Sequence, residues 1–171
     1  RLLAARPYAD AATLYAESDA ATAGLTTADL TEAMAGHPPI GRPKPGDPAS
    51  SREQRGMAGA SAELREEMLA LNLAYQEKFG HVFLVCATGL TGEQMRDAVR
   101  ERIGNSAERE REIVRVELGK INRIRLGGLV RDGSSGADCQ RITSGSSAAV
   151  PTAISTIPRA ASHRPIDWPP L

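Results

Sequence analysis

The chain has 171 residues, with 21 Lys and Arg against 21 Asp and Glu, so its formal net charge is zero. A nucleic-acid binder carries the basic excess that phosphate contacts demand, and a 4% aromatic content leaves few platforms for stacking bases. Ala and other helix formers dominate the first three quarters, which argues for an all-α protein over a sandwich or barrel, and no run is apolar enough to span a membrane.

The opening run, Arg1-Leu2-Leu3-Ala4-Ala5-Arg6-Pro7, is too short and interrupted for a signal peptide. It lacks an initiator Met, and a preceding segment is expected. Pro7 suits a first helical turn, Ala11 to Ser18 reads as helix, and Gly24 breaks it. Thr26 and Asp29 form a T-x-x-D cap before Leu30 and Met34. Gly36 to Ala49 holds Pro38, Pro39, Pro43, Pro45 and Pro48. Proline fixes φ and removes donors, so a stiff, non-helical loop is expected. Ser50…Glu53 and Ser51…Gln54, both at capping-box spacing, then open a helix.

Leu64, Met68, Leu71, Tyr75 and Phe79 step by four, three, four and four, which predicts a helix from Ser61 to Phe79. Gly80 stops it. Val82 to Ala87 is a short apolar run that fits strand or helix. Thr91 and Gln94 cap a helix with Met95, Val99 and Ile103 on one face. Asn105 and Glu108 open the last helix, which runs to about Leu129 and buries Val114, Leu118 and Ile121. Lys120, Arg123 and Arg125 near its end suit the negative pole of its dipole. The alternation Glu108-Arg109-Glu110-Arg111-Glu112 reads as a solvated face.

One compact all-α domain of about six to eight helices is expected over residues 1–130. From Arg131 to Leu171 the chain is Ser-, Gly-, Ala-, Thr- and Pro-rich and cannot bury enough surface to offset its ordering entropy, so a disordered tail is expected. Its Trp168, in Pro165-Ile166-Asp167-Trp168-Pro169-Pro170-Leu171, reads as a docking peptide or, more simply, as an extension without a role. Cys86 lies in an apolar run and Cys139 in the tail, which is no disulfide framework and fits a reducing compartment. With no signal and no SKL-type address, a bacterial cytoplasmic protein is expected.

CxxC, HExxH, P-loop and GxSxG motifs are absent, and His37, His81 and His163 are scattered without metal-ligand spacing, so no metal site is expected. One region stands apart. His37, on a proline-stiffened loop, loses little entropy in pointing one way, and a helix N-terminus follows within one loop length. Glu53 is placed to orient His37 or polarise a substrate NH or OH, and Gln54 can donate and accept. The plainer alternative is a surface histidine beside a capping box.

The string His37-Pro38-Pro39-Ile40-Gly41, then Ser50-Ser51-Arg52-Glu53-Gln54, then Leu71-Asn72-Leu73-Ala74-Tyr75-Gln76-Glu77-Lys78-Phe79-Gly80 and Val82-Phe83-Leu84-Val85-Cys86-Ala87 resembles the OHCU decarboxylase family. The likeness runs on through Met95-Arg96 and the segment Glu117 to Leu126, and covers roughly Arg1 to Val130. The resemblance implies cofactor-free decarboxylation of 2-oxo-4-hydroxy-4-carboxy-5-ureidoimidazoline (OHCU) to (S)-allantoin, in an all-α fold and a homodimer. It implies His37 as the catalytic histidine, Glu53 as the second catalytic residue, and Pro38, Ser50, Ser51, Arg52 and Gln54 as substrate-binding. It also implies that the backbone of Phe83, Leu84, Val85, Cys86 and Ala87 holds the heterocycle.

Three features depart from the family pattern. Thr88 stands where many relatives have a basic residue, the stretch from His37 to Glu53 is short, and a family N-terminal helix is missing before Arg1. Arg52, Arg55 or an arginine of the last helix are the candidates to replace the charge absent at Thr88. The alternatives are a non-catalytic helical interaction module, with the Trp168 tail as its peptide, and an inactive, shortened relative of the enzyme.

Overall fold

The computed structural model describes residues 2–132. Of the expected tail, Arg131 and Asp132 prove to be helical, and residues 133–171, with Trp168, Cys139 and His163, lie outside the described residues. Six α-helices form: α1 (Ala11–Ala23), α2 (Thr27–Ala35), α3 (Pro48–Glu53), α4 (Ala62–Phe79), α5 (Gly92–Arg102) and α6 (Ala107–Asp132). Two short 3-10 turns, Leu2–Ala5 and Arg55–Met57, complete the set, and no strand occurs among the described residues.

Local chemistry sets most of the boundaries. Thr26 and Asp29 make the reciprocal capping box of α2, and Thr91 and Gln94 that of α5. Ser61 Oγ accepts from Leu64 N at the start of α4, and Gly80 ends that helix at φ 77°, a left-handed conformation that favours glycine. Three expectations need correction. Pro7 lies outside α1, whose cap is Asp10. Ser106, not Asn105, accepts from Arg109 N at the start of α6. That helix runs on to Asp132, so Lys120, Arg123 and Arg125 lie more than a turn from its end, beyond reach of the dipole's negative pole.

The expected Ser50…Glu53 capping box does not form. Asp47 caps α3, accepting from Ala49 N at 2.9 Å and Ser50 N at 3.3 Å, and Pro48 takes the first helical turn. An Asp before a Pro meets both preferences of a helix start, cap acceptor and preset φ. Ser50 is thereby drawn inside, where its Oγ accepts from Lys44 N.

Helices α1 and α2 pack on α6, and α4 packs on α5. Two apolar clusters result. Ile40, Met57, Met68, Tyr75, Phe83, Ala87, Met95 and Val99 form one, and Leu30, Met34, Leu84, Val114, Leu118 and Ile121 the other. The run 82–87 is neither helix nor strand and threads between them. Phe83, Val85 and Ala87 face the first cluster, while Val82, Leu84 and Cys86 face the second. That is the period-two alternation of extended chain, buried on both sides. At Gly56 an added Cβ would sit 2.0 Å from the Leu90 carbonyl oxygen, so only glycine allows the 55–57 turn to pack against the loop after this run.

Candidate active site

The loop after α2 begins at His37, whose N–H donates to Met34 O. The His37 Nδ1 lies 2.8 Å from the Ala33 carbonyl oxygen. A carbonyl only accepts, so Nδ1 carries hydrogen and Nε2 is the position left to exchange a proton. That Nε2 is buried and has no hydrogen-bond partner. A buried nitrogen left unpaired costs free energy, and that cost is recovered when a ligand bonds to it.

A cavity of about 20 Å³, room for about one water, lies against His37, Pro38, Ser50, Glu53, Gln54, Phe83, Leu84, Val85 and Ala87. The structure thus brings together nine of the twelve residues singled out from sequence. Cys86 faces the other cluster, and burial pushes its thiol pKa up, which leaves it protonated and a poor nucleophile. Ser51 is exposed, its Oγ bonded back to Asp47 O. Arg52 lines the neighbouring cleft instead.

Gln54 spends its amide on the loop. Its Oε1 accepts from Gly41 N at 2.9 Å and its Nε2 donates to Pro39 O at 3.2 Å. Asn72 of α4 adds a third tie, from Nδ2 to Ile40 O at 2.9 Å. The loop that carries His37 is therefore stiffened by prolines and stapled by two buried amides.

Glu53 closes α3 and receives a two-point grip from Arg125 of α6. Arg125 Nε donates to Oε1 at 2.7 Å and Nη2 to Oε2 at 2.9 Å. The same Glu53 lines a wider cleft of about 940 Å³, together with Arg52, Arg55, Thr88, Gly89, Arg125 and Leu129. Arg125 is neutralised by Glu53, whereas the Arg55 guanidinium has no ion-pair partner among the described residues. Arg52, Arg55 and Arg125, from other elements, thus share one cleft with Thr88. The cleft suits an anionic ligand, and no group of His, Cys, Asp and Glu among the described residues is arranged to hold a metal ion.

Behind the 82–87 run lies a network that sequence reasoning missed. Glu110, read as part of a solvated face, is fully buried. It accepts from Arg102 Nε at 3.0 Å and Nη2 at 2.5 Å, from Asn105 Nδ2 at 2.9 Å, and from the Tyr75 hydroxyl. Burial pushes the Glu110 carboxyl up, but hydrogen bonds from Arg102, Tyr75 and Asn105 and the Arg102 charge outweigh it and hold the pKa below the usual value. Burial, then the bond to Glu110, raises the Tyr75 phenol. Arg102 also donates from Nη1 to Leu84 O at 2.9 Å and lies 4.5 Å from the centre of the Phe83 ring. Glu117 Oε2 accepts from Cys86 N at 2.7 Å. The only sequence signal was Tyr75 in the apolar stripe, a polar tip that needs a buried partner.

The family model described as OHCU decarboxylase matches residues 1–127. A uric acid degradation bifunctional protein of Arabidopsis thaliana is 33% identical over 115 residues, which is 63% of this chain and 36% of that protein. A 2-oxo-4-hydroxy-4-carboxy-5-ureidoimidazoline decarboxylase of Amia calva is 33% identical over 86 residues, covering 48% of this chain and 49% of that one. The chain therefore spans half or less of the length of these relatives. A crystal structure of OHCU decarboxylase in the presence of (S)-allantoin superposes with a TM-score of 0.68 at 28% identity, covering 76% of this chain and 88% of that chain.

Proposed function

The chain belongs to the OHCU decarboxylase family, and we propose on that premise that it converts OHCU to (S)-allantoin and CO2, the decarboxylation step of urate breakdown. The observation that carries this most directly is His37. Its tautomer is fixed by Ala33 O, its Nε2 is buried and unpaired, and it shares a small cavity with Glu53, Phe83, Leu84, Val85 and Ala87. A non-catalytic interaction module offers no reason for a buried, unpaired imidazole nitrogen.

The chemistry fits these groups. When CO2 leaves, the electron pair of the broken C–C bond forms a double bond to the ureido-bearing carbon. The imine pair of the ring then moves onto its nitrogen, which takes a proton. The substrate is thus its own electron sink, and the protein's part is to bind, desolvate and protonate. As the carbonyl re-forms, the hydroxyl passes its proton to Glu53 and the ureido-bearing carbon takes one from Nε2 of the imidazolium form of His37; water supplies the proton on the ring nitrogen, so the reaction takes up one proton overall. Histidine suits this because its unperturbed pKa, about 6.5, lies near working pH.

Glu53 accepts the hydrogen bond of the substrate hydroxyl, held in place by Arg125, and Arg52 and Arg55 draw in the carboxylate. Pro38 and Ser50 shape the wall beside His37, and Gln54 acts through the loop it staples. The intermediate is planar, and in free solution either face takes the proton, so a single enantiomer is evidence of a positioned donor. Freshly generated OHCU should yield optically active (S)-allantoin with this protein, followed by circular dichroism. Racemic product at the uncatalysed rate would refute the assignment.

The family likeness also carries the expectation of a homodimer. Light scattering at micromolar concentration checks it, and a monomer would remove it. A cytoplasmic location fits the free thiol of Cys86; among the described residues no helix is long and apolar enough to cross a membrane.

A further inference from the structure

The 82–87 run is buried extended chain without a partner strand, so its peptide groups must be satisfied by something else. Two are satisfied by ionic side chains from different helices: Leu84 C=O by Arg102 of α5, and Cys86 N–H by Glu117 of α6. Both anchors are themselves fixed. Arg102 is pinned by Glu110 and the Phe83 ring, and Glu117 by Lys120 Nζ at 2.6 Å.

The two anchored groups flank one residue. A trans peptide is planar, so fixing Leu84 C=O fixes the direction of Val85 N–H, and fixing Cys86 N–H fixes Val85 C=O. In extended chain both Val85 groups then point away from Arg102 and Glu117. Val85 lines the His37 cavity. We propose that Arg102 and Glu117 are positioning residues, which aim the N–H and C=O of Val85 at the substrate's ring and so decide which face meets His37. An adjacent donor and acceptor match the amide edge of a cyclic urea. This inference rests on the decarboxylase reading and deepens it.

The experiment follows the Val85 amide resonance in the 15N-labelled protein during titration with (S)-allantoin, and the enantiomeric excess of product from OHCU. Wild type, Glu117→Gln and Glu117→Asp are compared. Gln keeps an acceptor for Cys86 N–H, whereas Asp keeps the charge but withdraws it. The Val85 signal should shift saturably in wild type and Glu117→Gln. Glu117→Asp should bind allantoin roughly tenfold more weakly, the worth of about one hydrogen bond, and give less enantiopure product, in addition to the lower melting temperature that an unpaired Cys86 N–H brings. A purely structural role would move the melt and leave affinity and enantiomeric excess alone. A folded Glu117→Asp with wild-type affinity and product overturns the proposal, as does a wild type that decarboxylates while Val85 stays still. A wild type that neither binds allantoin nor decarboxylates OHCU removes the decarboxylase reading, and the proposal with it.

Discussion

At the residue scale, the Glu53 side chain has one partner among the described residues, Arg125. Its two oxygens face Arg125 across the cleft, and the cap it was expected to share belongs to Asp47. Stability and catalysis therefore separate cleanly. Asp47→Ala should cost about 1 kcal/mol of stability through the lost cap, read as a lower denaturation midpoint. Glu53→Gln keeps one acceptor oxygen for Arg125, so its melt should fall less than that of Asp47→Ala while kcat falls about 10²-fold or more. An equal loss of stability in both variants would put Glu53 back in the cap. Arg55 carries no such structural duty. Arg55→Ala should raise KM for the anionic substrate with kcat little changed, and added salt should narrow the difference.

At the element scale, the loop 36–47 is where local signals succeed and then stop. Its prolines announce a stiff segment, and His37 is legible there. The staples are not, because Gln54 and Asn72 reach Gly41, Pro39 and Ile40 from 13 to 32 residues away. Gln54→Leu removes two of these bonds and strands the loop's backbone groups. It should lose about 1–3 kcal/mol in denaturant unfolding and also lose activity, since His37 rides on the same loop. Unchanged activity with reduced stability would show that the loop holds its shape by proline alone. The helix caps at Thr26 and Thr91 were readable because a cap is a contact within four residues. Ser50 misled because its spacing fitted, and the Asp47-Pro48 pair just upstream fitted better. The run 82–87 was undecidable from sequence because the groups that hold it lie on α5 and α6.

At the scale of the whole molecule, the fold class followed from composition and periodicity, but the pivot of the packing did not. Glu110 sits in an alternating charge run that looks solvent-facing, and only the tertiary arrangement of Tyr75, Arg102 and Asn105 draws it inside. Its folded pKa is depressed, so its contribution to stability is complete above the unfolded carboxylate value, near 4.3. That contribution is lost as pH falls from there through the lower folded value. Acid unfolding of the wild type should steepen in that window, and Glu110→Gln should flatten the pH dependence there. Parallel curves for the two proteins would mean that Glu110 is not the linked group. Removal of residues 133–171 should leave the melt and the decarboxylation unchanged, whereas loss of activity would assign those residues a part in the site.

Everything in the proposed mechanism converges on the proton that His37 Nε2 gives to one face of a planar intermediate. The most direct measurement is circular dichroism of the allantoin formed from fresh OHCU by wild type and by His37→Ala, with folding of both checked by thermal melts. Wild type should give (S)-allantoin. The variant should lose about 10²–10⁴-fold in rate, and the product it still forms should drift toward racemic. A folded His37→Ala that yields (S)-allantoin at the wild-type rate would contradict His37 as the proton donor.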